Sequence, residues 1–514
     1  MRPVNSIVIV GGGTAGWLTA AIVAARHKER IARGHLTVTL VESPNIPILG
    51  VGEGTWPSMR TTLQKAGVAE TDFFRECDAA FKQGAQFARW TTGEDDDAYY
   101  HPLALPQGFT QLNLVPHWLE KREQMSFCDA VSTQGYLCDA NLAPKTIATP
   151  EYDGMVNYAY HLDAAKFAPF MQRHCVAKLG VRHVLADVKQ VEQSEDGDIT
   201  AVVTDPAGRI PGDLFVDCTG FAAYLLGKTL GVPFKPCDDV LFCNTAMAIQ
   251  VPYPDADSPV ASHTISTAQS SGWTWDIGLP TRRGVGYVYS SSHIDDDAAE
   301  AELRAHIGPQ AEGLNARKIP IRTGYRERFW ERNCVAIGVS AGFLEPLESS
   351  AIVLIELSAR ILAEQLPACR EVMDIVAKRF NETTSYRWGR IIDFLKLHYS
   401  ITKRRDTAFW RDNVEAASIP DRLQELMELW RYQSPWMFDE FDRLEEVFPA
   451  ASYQYVLYGM EYETAYLPDD LAGSAQKAAK LMNDNIRIAQ EMRSQLPAHR
   501  DLLRKIDQHG MQRI

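Results

Sequence analysis

The sequence predicts an α/β protein with an N-terminal lobe of alternating strands and helices and a C-terminal helical lobe. Three observations support this fold class. A buried apolar segment, Ser6 to Val10, runs into a glycine turn and then an Ala- and Leu-rich helix. Strand and helix patterns alternate to about residue 365, with an inserted sheet expected around 85–150 and 240–330. The pattern is then mainly helical, so we expect lobes over 1–365 and 366–514.

The first glycine turn has the spacing of a dinucleotide-binding loop. Gly11, Gly13 and Gly16 follow the pattern G-x-G-x-x-G. In such a loop the first glycine permits a tight turn, the second lets the backbone approach a pyrophosphate, and the third lets helix and strand pack closely. The next strand ends at Glu42, where a carboxylate can accept hydrogen bonds from an adenosine ribose. The combination predicts a bound dinucleotide, against the alternative of a glycine turn that only packs.

Two later strands that end in glycine turns favour FAD over NAD. DLFVDCTG ends a strand at Asp217 and turns at Gly220, and RNCVAIGVS places a strand at Val335–Ile337 before Gly338. These segments resemble the FAD-binding elements of flavoprotein monooxygenases, which predicts a Rossmann-like FAD lobe. The resemblance also makes Val188 a backbone contact of the adenine. The other cofactor contacts expected from it are Thr14, Ala15, Val339 and Ile352.

Composition and charge exclude several other classes of protein. The chain has 514 residues and a formal net charge of −14, so the basic surface that nucleic acid requires is not expected. No apolar run approaches the ~18–20 residues of a membrane span. The nine cysteines include no Cys-x-x-Cys pair. We therefore expect reduced thiols in a cytoplasmic protein with no metal site, no nucleic acid and no membrane partner.

Segments elsewhere in the chain carry a more specific resemblance. They occur in the order GVGEGTWPS (50–58), FKQGAQFARW (81–90), SGWTWDIGLP (271–280), EPLESSAI (345–352) and LHYSITKRRDTAFW (397–410). Over nearly its whole length the chain resembles the flavin-dependent tryptophan halogenases. The resemblance implies a two-component enzyme that takes reduced FAD from a separate flavin reductase. Reduced FAD and oxygen then oxidise chloride or bromide to hypohalous acid, which travels through a tunnel to an aromatic substrate such as indole or tryptophan.

The same resemblance implies the residues that direct the hypohalous acid. Lys82 in FKQG matches the family's essential lysine, and Glu348 in EPLESS matches its paired glutamate. An ammonium can polarise hypohalous acid or form a haloamine, and a carboxylate can polarise it further or accept the proton that the arenium intermediate loses. The matching halide ligands are the backbone amides of Ser350 and Ala351. A solvated lysine and a glutamate at a helix start are the structural alternatives.

A pair of tryptophans is expected to line the tunnel. Trp273 and Trp275 alternate along a strand and therefore face the same side. The resemblance places them between flavin and substrate, where they keep the substrate from the flavin. The family pattern continues with Ile-Pro, whereas here Ile277 is followed by Gly278 and the proline comes at Pro280. Simple core packing of two aromatic side chains is the alternative.

The residues on the substrate side depart from the family pattern. His101 matches a substrate-pocket histidine, but Leu103 replaces an aromatic residue, which removes a stacking face worth about 1 kcal/mol. Tyr455 and Glu461 keep the spacing of a tyrosine and a glutamate that grip the amino-acid end of tryptophan, and Gln454 replaces a second tyrosine. A site that lacks some of the polar groups that bind the amino-acid end discriminates poorly between an amino acid and an analogue without that end. We therefore hypothesise that indole is a better substrate than tryptophan.

The main alternative function is a single-component FAD aromatic hydroxylase. Such hydroxylases usually carry an Asp-Gly motif after the middle strand, and the corresponding segment LADVKQVEQ lacks it. A flavin-binding protein without chemistry of its own would have no use for Lys82, Glu348 and the tryptophan pair. We expect a monomer or homodimer in which the helical lobe caps the substrate end of the tunnel.

Overall fold

A computed structural model describes residues 2–46, 52–437, 446–467, 471 and 473–513 of the chain. Two compact units are interleaved along the sequence. The first consists of Met1–Ala79, Leu162–Cys237 and Arg322–Trp388, and the second of Ala80–His161, Asp238–Ile321 and Gly389–Ile514. This division differs from the predicted lobes over 1–365 and 366–514. The difference arises because the inserted sheet groups with the C-terminal helices, as where the helix Ala450–Gly459 packs on the strand Ala98–Pro102.

A six-stranded sheet forms the centre of the first unit. Its strands lie in the order Trp330–Glu331, Cys334–Ala336, Leu214–Asp217, Ser6–Val10, Thr37–Glu42 and Arg182–Leu185. All neighbours are parallel except the first pair. Parallel strands covered on both faces are made of continuous apolar runs, and the predicted strand Ser6–Val10 has that composition. The strand expected at Val335–Ile337 begins one residue earlier, at Cys334.

Helices and two small antiparallel sheets surround this central sheet. The helices are Thr14–Arg26, Lys28–Ala32, Ser58–Ala66, Glu70–Glu76, Ala164–Leu179, Ser350–Glu364 and the first part of Arg370–Ser400. One small sheet contains Asp187–Gln193, Ile199–Asp205 and Gly208–Pro211, and the other contains Phe234–Pro236, Gly324–Arg326 and Gly342–Phe343. A short strand, Gly52–Gly54, and helical turns at Gly220–Ala222, Tyr224–Thr229 and Gly338–Ser340 complete the unit. The Ala-rich helix Thr14–Arg26 packs against both Ala164–Leu179 and Ser350–Glu364.

The second unit contains the expected inserted sheet, with seven strands. Their order is Arg317–Pro320, Thr245–Pro252, Arg282–Tyr289, Gly272–Gly278, Thr264–Ala268, Gly84–Ala88 and Ala98–Pro102. Neighbours are antiparallel except Thr264–Ala268 and Gly84–Ala88. Alternate residues of the strand Arg282–Tyr289, including Val285 and Tyr287, pack against the helix Asp296–Ile307. A separate short strand, Ala80–Lys82, pairs antiparallel with Ala159–Asp163.

Helices dominate the chain after residue 366, as predicted. Those of the second unit are Val115–Leu119, Phe127–Val131, Gln134–Asp139, Asp296–Ile307, Ala408–Asn413, Asp421–Trp430, Ala450–Gly459, Ala475–Gln495, His499–His509 and the last part of Arg370–Ser400, with short turns at Pro309–Ala311 and Ala416–Ser418. No helix in the described part of the chain is long and apolar enough to cross a membrane. All nine cysteines are buried, and none of them forms a disulfide.

Candidate active site

The glycine loop lies at the carboxyl ends of the central parallel strands. Gly11 has a φ of +115°, and a Cβ atom there would overlap the carbonyl oxygen of Cys218. A Cβ atom on Gly16 would overlap the carbonyl oxygen of Gly11, so both positions require glycine for packing within the protein. Gly13 differs, because its φ of −77° suits any residue and a Cβ atom there meets no described atom within 4 Å. Gly13 therefore faces open space at the start of a helix.

Two further turns approach this loop, as the sequence predicts. Thr14 and Ala15 form the first turn of the helix Thr14–Arg26, where backbone N–H groups have no partner within the helix. Gly338 has a φ of +79°, and a Cβ atom on it would lie 2.5 Å from the Cβ atom of Ala15. Val339 follows in the same turn, which the Ser340 hydroxyl ties to the carbonyl oxygen of Asp217.

Asp217 organises the turn that carries Gly220, a role that the sequence analysis missed. Its Oδ1 accepts hydrogen bonds from the backbone N–H and the hydroxyl of Thr219, at 3.0 and 2.7 Å. Its Oδ2 accepts from the backbone N–H groups of Leu225 and Leu226, both at 2.8 Å. The sequence contained a signal for this role, because a carboxylate at the end of a buried strand must accept hydrogen bonds, and nearby backbone N–H groups can donate them. Gly220 adopts a φ of +64° in this turn.

Glu42 lies beside the glycine loop, as expected for a ribose contact. Its Oε2 accepts from the indole N–H of Trp17 at 3.3 Å and lies 3.1 Å from Nε2 of His183. A Cβ atom on Gly12 would overlap the Glu42 carboxyl group, which explains a glycine to which the sequence analysis assigned no role. The strand of Val188 also reaches this point, because Asp187 accepts hydrogen bonds from residues just after Glu42.

A left-handed residue connects Glu348 to the helix that follows it. Glu348 is buried, and its carbonyl oxygen accepts a hydrogen bond from the indole N–H of Trp56 at 2.9 Å. Ser349 then adopts a φ of +56°, and the helix Ser350–Glu364 begins. Ser350 and Ala351 are its first two residues, so their N–H groups are placed where a helix attracts an anion. The buried Ile352 completes this turn.

Lys82 is buried, which contradicts the alternative of a solvated lysine. Its exposed fraction is 4%, and it ends the strand Ala80–Lys82. Ala80 pairs with His161 and Lys82 with Ala159, so Lys82 and His161 share one face of this antiparallel pair. Burial, and next the positive charge of Lys82, lower the pKa of His161 well below its ordinary value.

Two more histidines complete a buried cluster that the sequence analysis did not single out. Burial lowers the pKa of His263 and that of His499 to about 4. Electrostatic interaction with both of them lowers the pKa of His161 further. The three histidines come from distant parts of the second unit, so no local pattern marks them. Near neutral pH these lowered pKa values leave all three rings uncharged.

The predicted tryptophan pair lies on the strand Gly272–Gly278. The ring centroids of Trp273 and Trp275 are 6.4 Å apart, and both side chains are buried. No hydrogen-bond acceptor for the indole N–H of Trp273 occurs among the described residues. The ring of Trp275 covers Gly286 on the next strand, where a Cβ atom would overlap it. The structure therefore places the two side chains together in a sheet that leaves one indole donor unsatisfied.

The proline that departs from the family pattern lies in a tight turn. After Gly278, the backbone N–H of Leu279 donates to the carbonyl oxygen of Arg282 at 2.9 Å. The guanidinium of Arg500 donates to the carbonyl oxygen of Pro280 at 2.5 Å. The shifted proline thus forms part of a turn that a C-terminal helix holds in place.

His101 and Leu103 lie on the Lys82 side of the second unit. His101 is buried, with Nε2 3.0 Å from the Ser452 hydroxyl and its ring centroid 6.1 Å from that of Tyr455. The backbone N–H of Leu103 donates to the carbonyl oxygen of Gln83 at 3.1 Å. Since Gln83 directly follows Lys82, the backbone of Leu103 is hydrogen-bonded next to the predicted catalytic lysine.

The residues predicted to bind the amino-acid end of tryptophan are only partly brought together. Tyr455 and Glu461 line the same cavity of about 620 Å³. Glu461, with a φ of +58°, forms an ion pair with Lys403. Gln454 is buried, and its amide donates to the carbonyl oxygen of Pro435 at 2.6 Å. The Gln454 side chain is therefore used within the protein.

The two predicted catalytic residues belong to different units. Lys82 lies in the second and Glu348 in the first, so their pairing remains a prediction. No group of three or more histidine, cysteine or acidic residues suited to a metal ion occurs in the described ranges.

Comparison with known proteins identifies the family of the chain. A family profile described as tryptophan halogenase matches residues 6–476. Tryptophan 7-halogenase RebH of Lentzea aerocolonigenes is 35% identical, over 83% of this chain and 82% of the relative. A crystal structure of a tryptophan halogenase from Shewanella frigidimarina is 49% identical, with a TM-score of 0.96 over 100% of this chain and 99% of that one. BrvH, a flavin-dependent halogenase from Brevundimonas, is 33% identical, with a TM-score of 0.86 over 98% and 99%.

Proposed function

Because the chain belongs to the tryptophan halogenase family, we propose that it halogenates an electron-rich arene with a halide, oxygen and reduced FAD from a separate flavin reductase. The observation that carries the proposal is the burial of Lys82 on the strand face that it shares with His161, whose ring is kept neutral by burial and by the nearby lysine. A lysine held this way presents a cationic donor away from bulk water, where it acts more strongly on a bound electrophile.

The glycine loop fits a dinucleotide on structural grounds. The open space at Gly13 is where a pyrophosphate would approach the backbone, and the first-turn N–H groups of Thr14 and Ala15 would face it. The Glu42 carboxylate would accept from the adenosine ribose. The remaining contacts would come from Val188, Gly220, Gly338, Val339 and Ile352. When bound, reduced FAD with oxygen supplies the oxidising equivalents that convert chloride or bromide to hypohalous acid.

The halide would be held by the backbone N–H groups of Ser350 and Ala351. Both lie in the first turn of the helix Ser350–Glu364, where the helix dipole favours an anion. Because backbone groups are the ligands, the side chains at these two positions matter little for binding. Glu348 precedes Ser350 by two residues and would therefore lie next to this halide position.

Lys82 and Glu348 then direct the halogen to the substrate. The Lys82 ammonium donates a hydrogen bond to the oxygen of hypohalous acid, which makes the halogen more electrophilic. A ring carbon forms its bond to the halogen while the bond from halogen to oxygen breaks. The Glu348 carboxylate accepts the proton that the ring carbon loses. Hydroxide and this proton leave as water, so arene and hypohalous acid become haloarene and water.

The aromatic side chains define which arene is accepted. Trp273 and Trp275 form the wall that keeps the substrate away from the flavin, as the family resemblance implies. His101 and Leu103 contribute to the substrate pocket near Lys82. Because Gln454 is engaged by Pro435 and Glu461 by Lys403, the grip on an amino-acid end is weak. We propose that indole is turned over faster than tryptophan.

Mass spectrometry tests this function directly. Indole or tryptophan is incubated with the protein, FAD, a flavin reductase, NADH and either chloride or bromide. We expect haloindole as the main product, no product with Lys82→Ala, and strongly slowed formation with Glu348→Gln. Hydroxyindole in place of haloindole would identify a hydroxylase instead, and faster turnover of tryptophan would contradict the proposed substrate preference.

A further inference from the structure

His499 contacts the backbone directly beside Lys82. It is the first residue of the helix His499–His509 and is fully buried. Its Nε2 accepts a hydrogen bond from the backbone N–H of Phe81 at 3.1 Å, and its Nδ1 lies 3.1 Å from the carbonyl oxygen of Val260. Its ring also packs against that of Phe81, with centroids 5.9 Å apart. A residue near the C-terminus thus holds the residue that precedes Lys82.

These two partners determine the tautomer of His499. The N–H of Phe81 can only donate and the carbonyl oxygen of Val260 can only accept. The ring must therefore carry its proton on Nδ1 and leave Nε2 as an acceptor. Burial favours the same neutral form, since it lowers the pKa of His499 to about 4. A side chain replacing His499 must offer an acceptor at the same distance from the backbone to preserve the contact.

The strand that carries Lys82 depends on such contacts because it is short. Ala80–Lys82 has only three residues and one strand partner, so its ladder contains few hydrogen bonds. On the other side of Lys82, the backbone N–H of Gln83 donates to the carbonyl oxygen of Ser262 at 2.7 Å. His499 supplies the corresponding restraint on the Phe81 side. These two hydrogen bonds restrain the backbone on either side of Lys82.

We propose that His499 is a positioning residue for Lys82, acting through the hydrogen bond from the Phe81 N–H to Nε2. The inference rests on the proposed catalytic role of Lys82. Loss of the acceptor lets the strand shift and moves the ammonium away from the hypohalous acid. A displacement of about 1 Å in a catalytic group can lower turnover by about 10²-fold. We therefore expect haloarene formation to fall by about 10- to 100-fold, while oxidation of halide continues.

Two polar variants separate positioning from a merely structural role. In His499→Gln the amide oxygen of the glutamine is separated from the backbone by the same number of bonds as Nε2 of the histidine. It can therefore accept the hydrogen bond from the Phe81 N–H. In His499→Asn the oxygen is one carbon closer to the backbone and falls short. His117→Asn is the matched control, because His117 is also buried and its Nε2 lies 2.9 Å from the Ser474 hydroxyl, outside the histidine cluster.

The measured quantity is the fraction of hypohalous acid that becomes haloindole, with escaping acid trapped by monochlorodimedone. Only folded, FAD-loaded enzyme makes hypohalous acid, so a smaller folded population does not change this fraction. We expect a fraction near the parent value for His499→Gln and a fall of about 10-fold or more for His499→Asn, with His117→Asn unchanged. Equal fractions for the Gln and Asn variants would overturn the proposal. An active Lys82→Ala would instead overturn the role of Lys82 itself.

Discussion

The indole ring of Trp275 occupies the space that a side chain on Gly286 would need. The two residues are directly paired on the antiparallel strands Gly272–Gly278 and Arg282–Tyr289. A Cβ atom on Gly286 would overlap Cζ2 and Cη2 of Trp275 and lie 2.5 Å from the carbonyl oxygen of Met247. The absence of a side chain on one strand therefore sets the position of an aromatic ring on its neighbour.

Gly286→Ala should displace Trp275 and destabilise the second unit by about 1–3 kcal/mol, the usual cost of overpacking. Trp275→Phe removes the overlapping atoms, so the double variant should lose less stability than the sum of the single variants. A double-mutant cycle of unfolding free energies measures this coupling. Gly389→Ala is the control, since a Cβ atom there meets nothing described within 4 Å and lies within a helix. Strictly additive effects at Gly286 and Trp275 would contradict the overlap.

Gly13 and Gly16 should respond in opposite ways to a side chain. Gly13→Val should fold normally, because the position faces open space, and should lose FAD affinity by at least about 10-fold through a clash with the pyrophosphate. Gly16→Ala should fail to fold stably, since its Cβ atom would overlap the backbone of Gly11. Apo-protein melting and flavin absorbance after desalting measure the two effects. A full FAD complement in Gly13→Val would remove the nucleotide assignment.

Lys82→Met should separate halide oxidation from halogenation. Methionine fills a similar space in this buried position, so the fold should be retained while the donor to hypohalous acid is lost. Haloindole should fall below detection, and trapped hypohalous acid should account for the halide oxidised. Lys166→Met is the surface control, because this lysine is exposed in the helix Ala164–Leu179. Product formation near the parent rate would disprove the proposed mechanism.

Glu356 should make stability depend on pH above the ordinary range of a glutamate. Burial raises its pKa from 4.5 to about 7, while Ser58 and Thr62 donate hydrogen bonds to the carboxyl group. The folded state thus holds a proton that the unfolded state releases, so stability falls as pH rises from about 4.5 to about 7. Glu356→Gln stays neutral and should lack this loss.

Denaturant unfolding of both proteins at pH 5 and pH 8 tests this sign. The free energy of unfolding of the variant, relative to that of the parent, should be higher at pH 8 than at pH 5. Glu364→Gln, at the exposed end of the same helix, controls for the removal of a negative charge. A parent-to-variant difference that is the same at both pH values would contradict a raised pKa in the folded state.

Lys403→Met should shift the substrate preference towards tryptophan. The ion pair with Lys403 competes with an α-ammonium group for the Glu461 carboxylate. Both side chains are largely exposed, and such pairs contribute about 0.2–1 kcal/mol. The ratio of tryptophan to indole turnover should therefore rise by about 1.4- to 5-fold. Arg122→Met is the control, because Arg122 is another cationic residue that lines the cavity. An unchanged ratio of tryptophan to indole turnover in Lys403→Met would exclude Glu461 from substrate selection.

The local pattern of the chain predicted the nucleotide-binding elements closely. The strand Ser6–Val10, the strand end at Glu42 and the glycine positions are all found where the sequence places them. A buried parallel strand and a glycine loop are encoded within a few consecutive residues, because burial and backbone conformation select the residue types directly. The family resemblance predicted Lys82 and Glu348 from motifs of the same local kind.

The sequence by itself therefore determined the fold class, the nucleotide loop and the candidate catalytic residues. Only the tertiary structure decided that Lys82 is buried, that Nε2 of His499 accepts a hydrogen bond from the Phe81 N–H, and that the Gln454 amide donates to the carbonyl oxygen of Pro435. These contacts join residues that are far apart in the chain, and a lone histidine or glutamine leaves no periodic trace. Their roles follow from which atoms the fold brings within hydrogen-bond distance, and that depends on packing across the whole second unit.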